Sequence, residues 1–186
     1  MLQLVNQLEE KAMYEKLFFI LSFILILVIS RLIPHPPNFT PIIATAIFGP
    51  IFLNNKMYGA AITIIAMFIT DIFISFHSYQ FIIYATLISI SLLTPVKKNK
   101  VSFAIFTFGS CVWFFLTTNF AVWILWDYYP KNLEGLLLSY TLAIPFFTNT
   151  LVSTFLFVVI FWNLHTFFKK SNFGSYLRNM KTISFS

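Results

Sequence analysis

The feature that most constrains this chain is a series of apolar runs, from about residue 17 to residue 168, broken only by short polar or basic segments. A soluble domain carries about 25% charged residues. Here charged residues make up 10% and hydrophobic residues 59%, with phenylalanine alone occurring 25 times. So few charges cannot coat a water-facing surface, and lipid is the solvent expected for most of the chain. In a bilayer every backbone polar group must be satisfied internally, which favours helices over open sheets. The fold class expected is therefore all-α, a polytopic membrane bundle of about six transmembrane helices, with no soluble catalytic domain.

A bilayer core is crossed by about 20 apolar residues in helical form. The first run, residues 17–33, follows Lys11, Glu15 and Lys16 and lacks an Ala-x-Ala cleavage pattern, so it reads as a membrane helix and not as a cleaved signal. A proline-rich stretch breaks it, because proline removes a backbone donor and disfavours helix in the residue before it. Five further runs follow at residues 42–53, 57–76, 79–96, 101–126 and 146–168. The second is short and carries Gly49-Pro50; it crosses only if tilted or lengthened through Asn55. The fifth is long and is expected to tilt, or to break near Thr117-Thr-Asn-Phe120. Residues 133–144 read as a short surface or re-entrant helix ended by Pro145. The division expected is a cytoplasmic amino-terminal segment (1–16), a six-helix transmembrane domain (17–168) and a basic cytoplasmic tail (169–186).

Orientation follows from where Lys and Arg lie, since cytoplasmic loops hold the excess. With six crossings and the amino terminus inside, only Arg31 and Lys131 of the 12 basic residues fall outside. Every inside segment then holds a lysine, and both termini are cytoplasmic. The net charge of +6 is read as this topology signal, so no nucleic-acid partner is expected. Trp123, Trp126, Tyr128 and Tyr129 would form an aromatic belt at the outer interface.

Polar groups within spans are costly and mark candidate functional positions. Arg31 ends the first span, Asp71 lies in the outer third of the third, Asn119 towards the outer end of the fifth, and Asn149 opens the last. All four fall at a similar depth, which suggests one outward-facing zone. His35 and Asn38 of the proline-rich loop lie above it, and His77 and Tyr79 cap the third-to-fourth turn. Trp123 follows Asn119 by one helical turn and shares its face. The substrate-binding set expected is Arg31, His35, Asn38, Asp71, His77, Asn119, Trp123 and Asn149. Each also has a plainer role: Arg31 pairing with Asp71 or reaching headgroups, the asparagines joining helices, Trp123 anchoring the interface. A stripe of Gly59, Thr63, Ala66 and Thr70 permits close helix packing.

Catalysis finds little footing. Asp71 is the one clearly intramembrane acid, and no Ser/His/Asp grouping, His-Glu-x-x-His or glycine-rich phosphate loop is present. No enzyme activity, cofactor or metal is expected. Cys111 is the single cysteine and sits inside an apolar run, so it forms no internal disulfide.

The segment Arg31-Leu-Ile-Pro-His-Pro-Pro-Asn-Phe-Thr-Pro41, with Ile42-Ile-Ala-Thr-Ala-Ile-Phe-Gly49 after it, resembles an uncharacterised bacterial family of small membrane proteins. Asp71, Phe76-His77, Thr118-Asn-Phe-Ala-Val-Trp123, Tyr129-Pro130 and Ala143-Ile-Pro-Phe-Phe-Thr-Asn-Thr150 share the likeness. That family looks related to the S components of energy-coupling-factor vitamin transporters. The resemblance implies a six-helix protein of the bacterial inner (cytoplasmic) membrane. It would hold a vitamin-like solute near the outer face and dock on a separate transmembrane and ATPase module. Residues 17–33 contain no alanine, a departure from the small-residue docking stripe of S components.

The function expected is a binding or uptake subunit for a small polar or aromatic nutrient, with the lipid bilayer, the solute and that module as partners, and the proline-rich loop as a gate. The alternative is a non-transport accessory or scaffold protein of a membrane complex. A membrane enzyme acting on lipid would need a second acid/base group beside Asp71, and the sequence offers none.

Overall fold

The computed structural model describes residues 2–76, 78–95 and 100–170. Its described residues form six helices: α1 (Leu2–Leu32), α2 (Ile42–Leu53), α3 (Lys56–Ile74), α4 (Gln80–Leu93), α5 (Lys100–Leu125) and α6 (Leu133–Lys170). Three stretches are long and apolar enough to cross a membrane: Lys56–Ile74, Lys100–Leu125 and Leu133–Thr166. Ile20–Leu32, Ile42–Leu53 and Gln80–Leu93 are apolar but shorter. The outer faces are also apolar. Leu17, Leu21, Leu25 and Ile29 recur every fourth residue along the outside of α1, while Phe23 and Leu27 face the core. A protein in water rarely exposes so continuous an apolar face, and the surface is compatible with a lipid environment.

The chain's local signals explain where these helices stop. Pro34 follows the last residues of α1, and the loop turns through Asn38, whose φ of 62° lies in the left-handed region that asparagine tolerates. Asn54 closes α2 in the same conformation. Asn55 then caps α3, its side-chain oxygen accepting from the backbone N–H of Met57 (3.0 Å) and of Tyr58 (3.1 Å).

The centre of the molecule is α2. It contacts all five other helices, and every residue from Ile43 to Pro50 is buried. A helix apolar on all sides is one removed from water, and here the surrounding medium is protein. Its 12 residues span only about 18 Å, but a helix sheathed by its neighbours need not match the thickness of lipid. Its packing on α3 is the most extensive in the bundle and depends on two glycines. A methyl group on Gly49 would stand 2.9 Å from the Gly59 carbonyl oxygen, and one on Gly59 would meet the Pro50 backbone nitrogen and ring. The stripe Gly59, Thr63, Ala66 and Thr70 is buried throughout, so it packs inside this chain.

The break raised as one alternative for the fifth run, and the one expected at Pro145, are both absent. The fifth run is one unbroken helix, because its polar residues bond back to their own helix. Thr117, Thr118 and Asn119 donate to the carbonyls of Trp113 (2.9 Å), Phe114 (2.7 Å) and Phe115 (2.8 Å). Pro145 does not end a re-entrant helix; it lies inside the 38-residue α6. A proline inside a helix costs about 3 kcal/mol, and tertiary contacts on both sides hold the helix through it. Before it, the Tyr140 hydroxyl donates to the Leu116 carbonyl (2.8 Å). After it, the rings of Phe147 and Phe115 lie 4.7 Å apart.

Gly59→Ala is expected to lower stability by about 1–3 kcal/mol, the usual cost of overpacking. Gly109→Ala, where a methyl group meets nothing within 4 Å, should leave stability unchanged or raise it by up to about 1 kcal/mol through helix propensity. Thermal unfolding of the detergent-solubilised variants checks both.

Candidate functional site

The consecutive helices alternate in direction, so the carboxyl ends of α1, α3 and α5 and the amino ends of α4 and α6 gather at one end of the bundle. The polar side chains singled out in the sequence lie towards that end, but they divide into separate groups.

Arg31 and Asp71 form an ion pair. Arg31 Nη2 lies 2.7 Å from Asp71 Oδ1, with the two side chains 13% and 1% exposed. The approach is not aligned as a hydrogen bond, so Oδ1 is held by charge and not by a directed N–H. The other guanidinium nitrogen donates to the Met67 carbonyl (3.2 Å) and to the Thr70 hydroxyl. Asp71 Oδ2 accepts from the Gln80 amide and from the Tyr84 hydroxyl. Five side chains from α1, α3 and α4 thus form one network, in which Asp71 Oδ1 alone accepts no directed hydrogen bond. Arg31 sits in the last turn of α1, where a cation is also favoured by the helix dipole.

A cavity of about 140 Å³ lies beside this network. Its lining comes from the proline-rich loop (Asn38), from the start of α4 (Tyr79, Ile83), and from facing stretches of α5 and α6. Phe114, Phe115, Val122, Ala143 and Phe146 make its apolar walls. Thr118, Asn119 and Thr150 supply polar atoms. The two threonine hydroxyls donate to carbonyls of their own helices, at 2.7 and 3.0 Å, and keep their lone pairs. The Asn119 amide nitrogen spends one N–H on the Phe115 carbonyl (2.8 Å), which leaves its second N–H and its carbonyl oxygen for a ligand. The cavity therefore offers acceptors together with amide donors, and carries no charged side chain in its lining.

The remaining candidates hold the frame. Asn149 donates to the Pro37 carbonyl (2.9 Å), strapping the proline-rich loop to α6. That strap helps keep Asn38 at the cavity. His35 is exposed, its Nδ1 2.8 Å from the Pro36 carbonyl. Trp123 donates to the Pro130 carbonyl (2.9 Å), and Lys131 donates to the carbonyls of Trp123 and Trp126 at the end of α5. These contacts close the turn between α5 and α6, and Trp123 is not part of the cavity wall. His77 lies outside the described residues. Of the residues expected to bind solute, then, Asn38 and Asn119 share a cavity. Arg31 and Asp71 share an ion pair, and Asn149 and Trp123 secure loops.

The sequence profile of a family of unknown function, DUF6580, matches residues 11–178. The chain belongs to this family. No curated protein matches it, and no solved structure does. Membership in DUF6580 brings no activity with it, so chemistry here is read from the geometry.

Two partners in the DUF6580 chain were missed from sequence: Gln80 and Tyr84. The available signal was an amide and a phenol spaced four apart at the start of an apolar run, hence on one helix face. Thr118 and Thr150 were noticed only as neighbours of the asparagines, and they, with Asn119, supply the polar atoms of the cavity wall.

Removing one charge leaves the other buried and unpaired, which costs about 3–5 kcal/mol. Asp71→Leu and Arg31→Met should each destabilise by that order. The double variant should recover most of the loss, since an apolar replacement of a buried pair is often neutral or better. A double-mutant cycle followed by thermal unfolding measures the recovery.

Proposed function

We propose that this protein is a six-span membrane protein that binds a small, uncharged, hydrogen-bonding solute in the cavity between α4, α5, α6 and the proline-rich loop. The observation that carries this reading is the cavity wall itself: aromatic and aliphatic sides, a few hydroxyl and amide groups, and no charge. Ligand sites are mostly apolar with a few placed polar groups. A volume of about 140 Å³ is modest, so the solute is small.

The membrane placement is supported by the apolar outer surface and by the lysine pattern. Lys56 begins α3, Lys100 begins α5 and Lys170 ends α6, all at the end opposite the cavity. Under the positive-inside rule that end is cytoplasmic, both termini are inside and the cavity opens outward. The resemblance to S components supports the finer reading: an uptake subunit of the bacterial inner membrane, energised by a separate transmembrane and ATPase module. In this reading the Arg31–Asp71 network is scaffolding that fixes the outer ends of α1, α3 and α4, and the solute is held by Asn38, Thr118, Asn119 and Thr150.

The second reading, an accessory or scaffold protein, is favoured by one observation. The charged pair is engaged by Thr70, Gln80 and Tyr84 and does not line the cavity.

A thermal-shift screen of the purified, folded chain against vitamins, vitamin precursors, nucleobases and other small neutral N–H and O–H donors separates the two. A ligand present at about 100 times its Kd stabilises by about 2.7 kcal/mol, which for a chain of this size raises the melting temperature by roughly 5–10 °C. Asn119→Leu and Thr150→Val should abolish that shift while leaving the unliganded melting temperature within a few degrees. A folded protein that responds to nothing across the panel would support the accessory reading.

A further inference from the structure

The opposite end of the bundle holds a second, larger recess that has no part in the solute site. It is a slot of about 270 Å³ between α5 and α6. Phe103, Thr107 and Val158 are its buried floor, with Trp162 beside them, and Ala104, Val159 and Phe155 form its sides. The floor is rigid. The rings of Phe103 and Trp162 pack at 5.3 Å, and Phe48 of the central helix backs both, at 5.7 and 6.4 Å. The small side chain of Ala104 opens the groove, and the Thr107 hydroxyl donates to the Phe103 carbonyl (2.9 Å), so it offers the groove no donor. The slot therefore offers almost no hydrogen-bonding capacity along its length and suits a hydrocarbon chain.

Its mouth differs. Exposed Lys100 and Asn163 stand there, beside Trp162. Lys100 is the last of three lysines within residues 97–100, and Lys169 and Lys170 close α6 at the same end. Lys100 thus stands at the mouth of an apolar slot, and among the described residues no acid lines it. Basic pockets between transmembrane helices on the cytoplasmic side suit anionic lipid headgroups.

We infer that the α5–α6 slot is a binding site for an anionic glycerophospholipid of the inner leaflet, one acyl chain lying on Phe103 and Trp162 and the phosphate held by Lys100. The inference rests on the membrane placement proposed above, though not on the solute site. Its occupant is fixed by charge complementarity at the mouth combined with the lack of polar partners along the groove. Such a lipid would wedge the carboxyl end of α6 against α5, where the two helices part to form the slot.

Brominated acyl chains quench tryptophan on contact, and two tryptophans make the test internal. Trp162 borders the slot, while Trp113 is 48% exposed on the outer face of α5. The full chain is reconstituted into phosphatidylcholine nanodiscs with increasing fractions of brominated phosphatidylglycerol or brominated phosphatidylcholine. The Trp162 signal is taken as the difference between the parent and Trp162→Phe, and the Trp113 signal from Trp113→Phe in the same way.

Phosphatidylglycerol should half-quench Trp162 at a mole fraction lower than phosphatidylcholine by roughly five-fold, the effect of one lysine at the headgroup, with Trp113 quenched alike by both. Lys100→Gln should remove the difference at Trp162. Ala104→Phe, which fills the groove, should reduce quenching by either lipid; if that variant does not fold, Lys100→Gln decides alone. Equal quenching of Trp162 by the two lipids would overturn the site, leaving an unselective crevice. Quenching of Trp113 without Trp162 would also overturn it, and would mean that protein covers the slot. Quenching of neither would instead sink the membrane placement.

Discussion

A single buried ion pair organises the polar half of this molecule. Arg31 and Asp71 come from helices separated by a proline-rich loop and by α2, and they meet at 2.7 Å where the aspartate is almost wholly enclosed. An ion pair in such a place is a weak source of stability, because desolvating two charges offsets much of their attraction. What it fixes is position. The guanidinium reaches α3 only when the last turn of α1 lies against Thr70, and the carboxylate holds Gln80 and Tyr84 only when α4 begins close by. Three helix ends are thereby set. The proline-rich loop leaves from one of them, and Asn149 straps it down so that Asn38 reaches the cavity.

The apolar half is organised by α2. A helix of 12 residues is too short to cross a bilayer core of about 30 Å unaided, yet it is the most enclosed element of the fold. Its sequence suits the role. Ile43 to Pro50 present apolar or small side chains in every direction, and Gly49 faces Gly59 so that the backbones of α2 and α3 nearly touch. The other helices are then free to turn their larger aromatic and aliphatic side chains outward. This accounts for a chain so rich in phenylalanine with many of those rings on its surface.

Depth along each helix axis was legible in the sequence; rotation about the axis was not. Runs of apolar residues between proline, asparagine and lysine clusters located α2 to α5 to within a few residues, whereas α1 and α6 begin well before the runs expected for them, at Leu2 and Leu133. The runs also indicated that Arg31, Asp71, Asn119 and Asn149 lie towards one end. Whether those residues share a pocket depends on which way each points, and near-uniform apolar runs carry little rotational information. The sequence suggested one converging zone. The structure instead separates an ion pair, a cavity wall and a loop strap. The expected break at Pro145 shows the converse error. A local rule about proline gave way to contacts of Tyr140 and Phe147 that no local pattern reveals.

Function follows from that division of labour. Charges that are paired with each other inside the bundle are drawn away from a ligand, whereas the uncharged hydroxyl and amide groups of Thr118, Asn119 and Thr150 face open volume. The central claim is therefore that Arg31 and Asp71 are locked together inside the folded protein in lipid. The chain holds only two arginines, Arg31 and Arg178, and two aspartates, Asp71 and Asp127. An Arg178→Lys/Asp127→Asn chain labelled with ¹⁵N-arginine and ¹³C-aspartate thus reports one pair. Solid-state NMR dipolar recoupling between the guanidinium nitrogens and the Asp71 carboxyl carbon, recorded in bilayers, is expected to show the strong dephasing of direct contact. Absence of dephasing, in protein that is folded and membrane-embedded, would contradict the account.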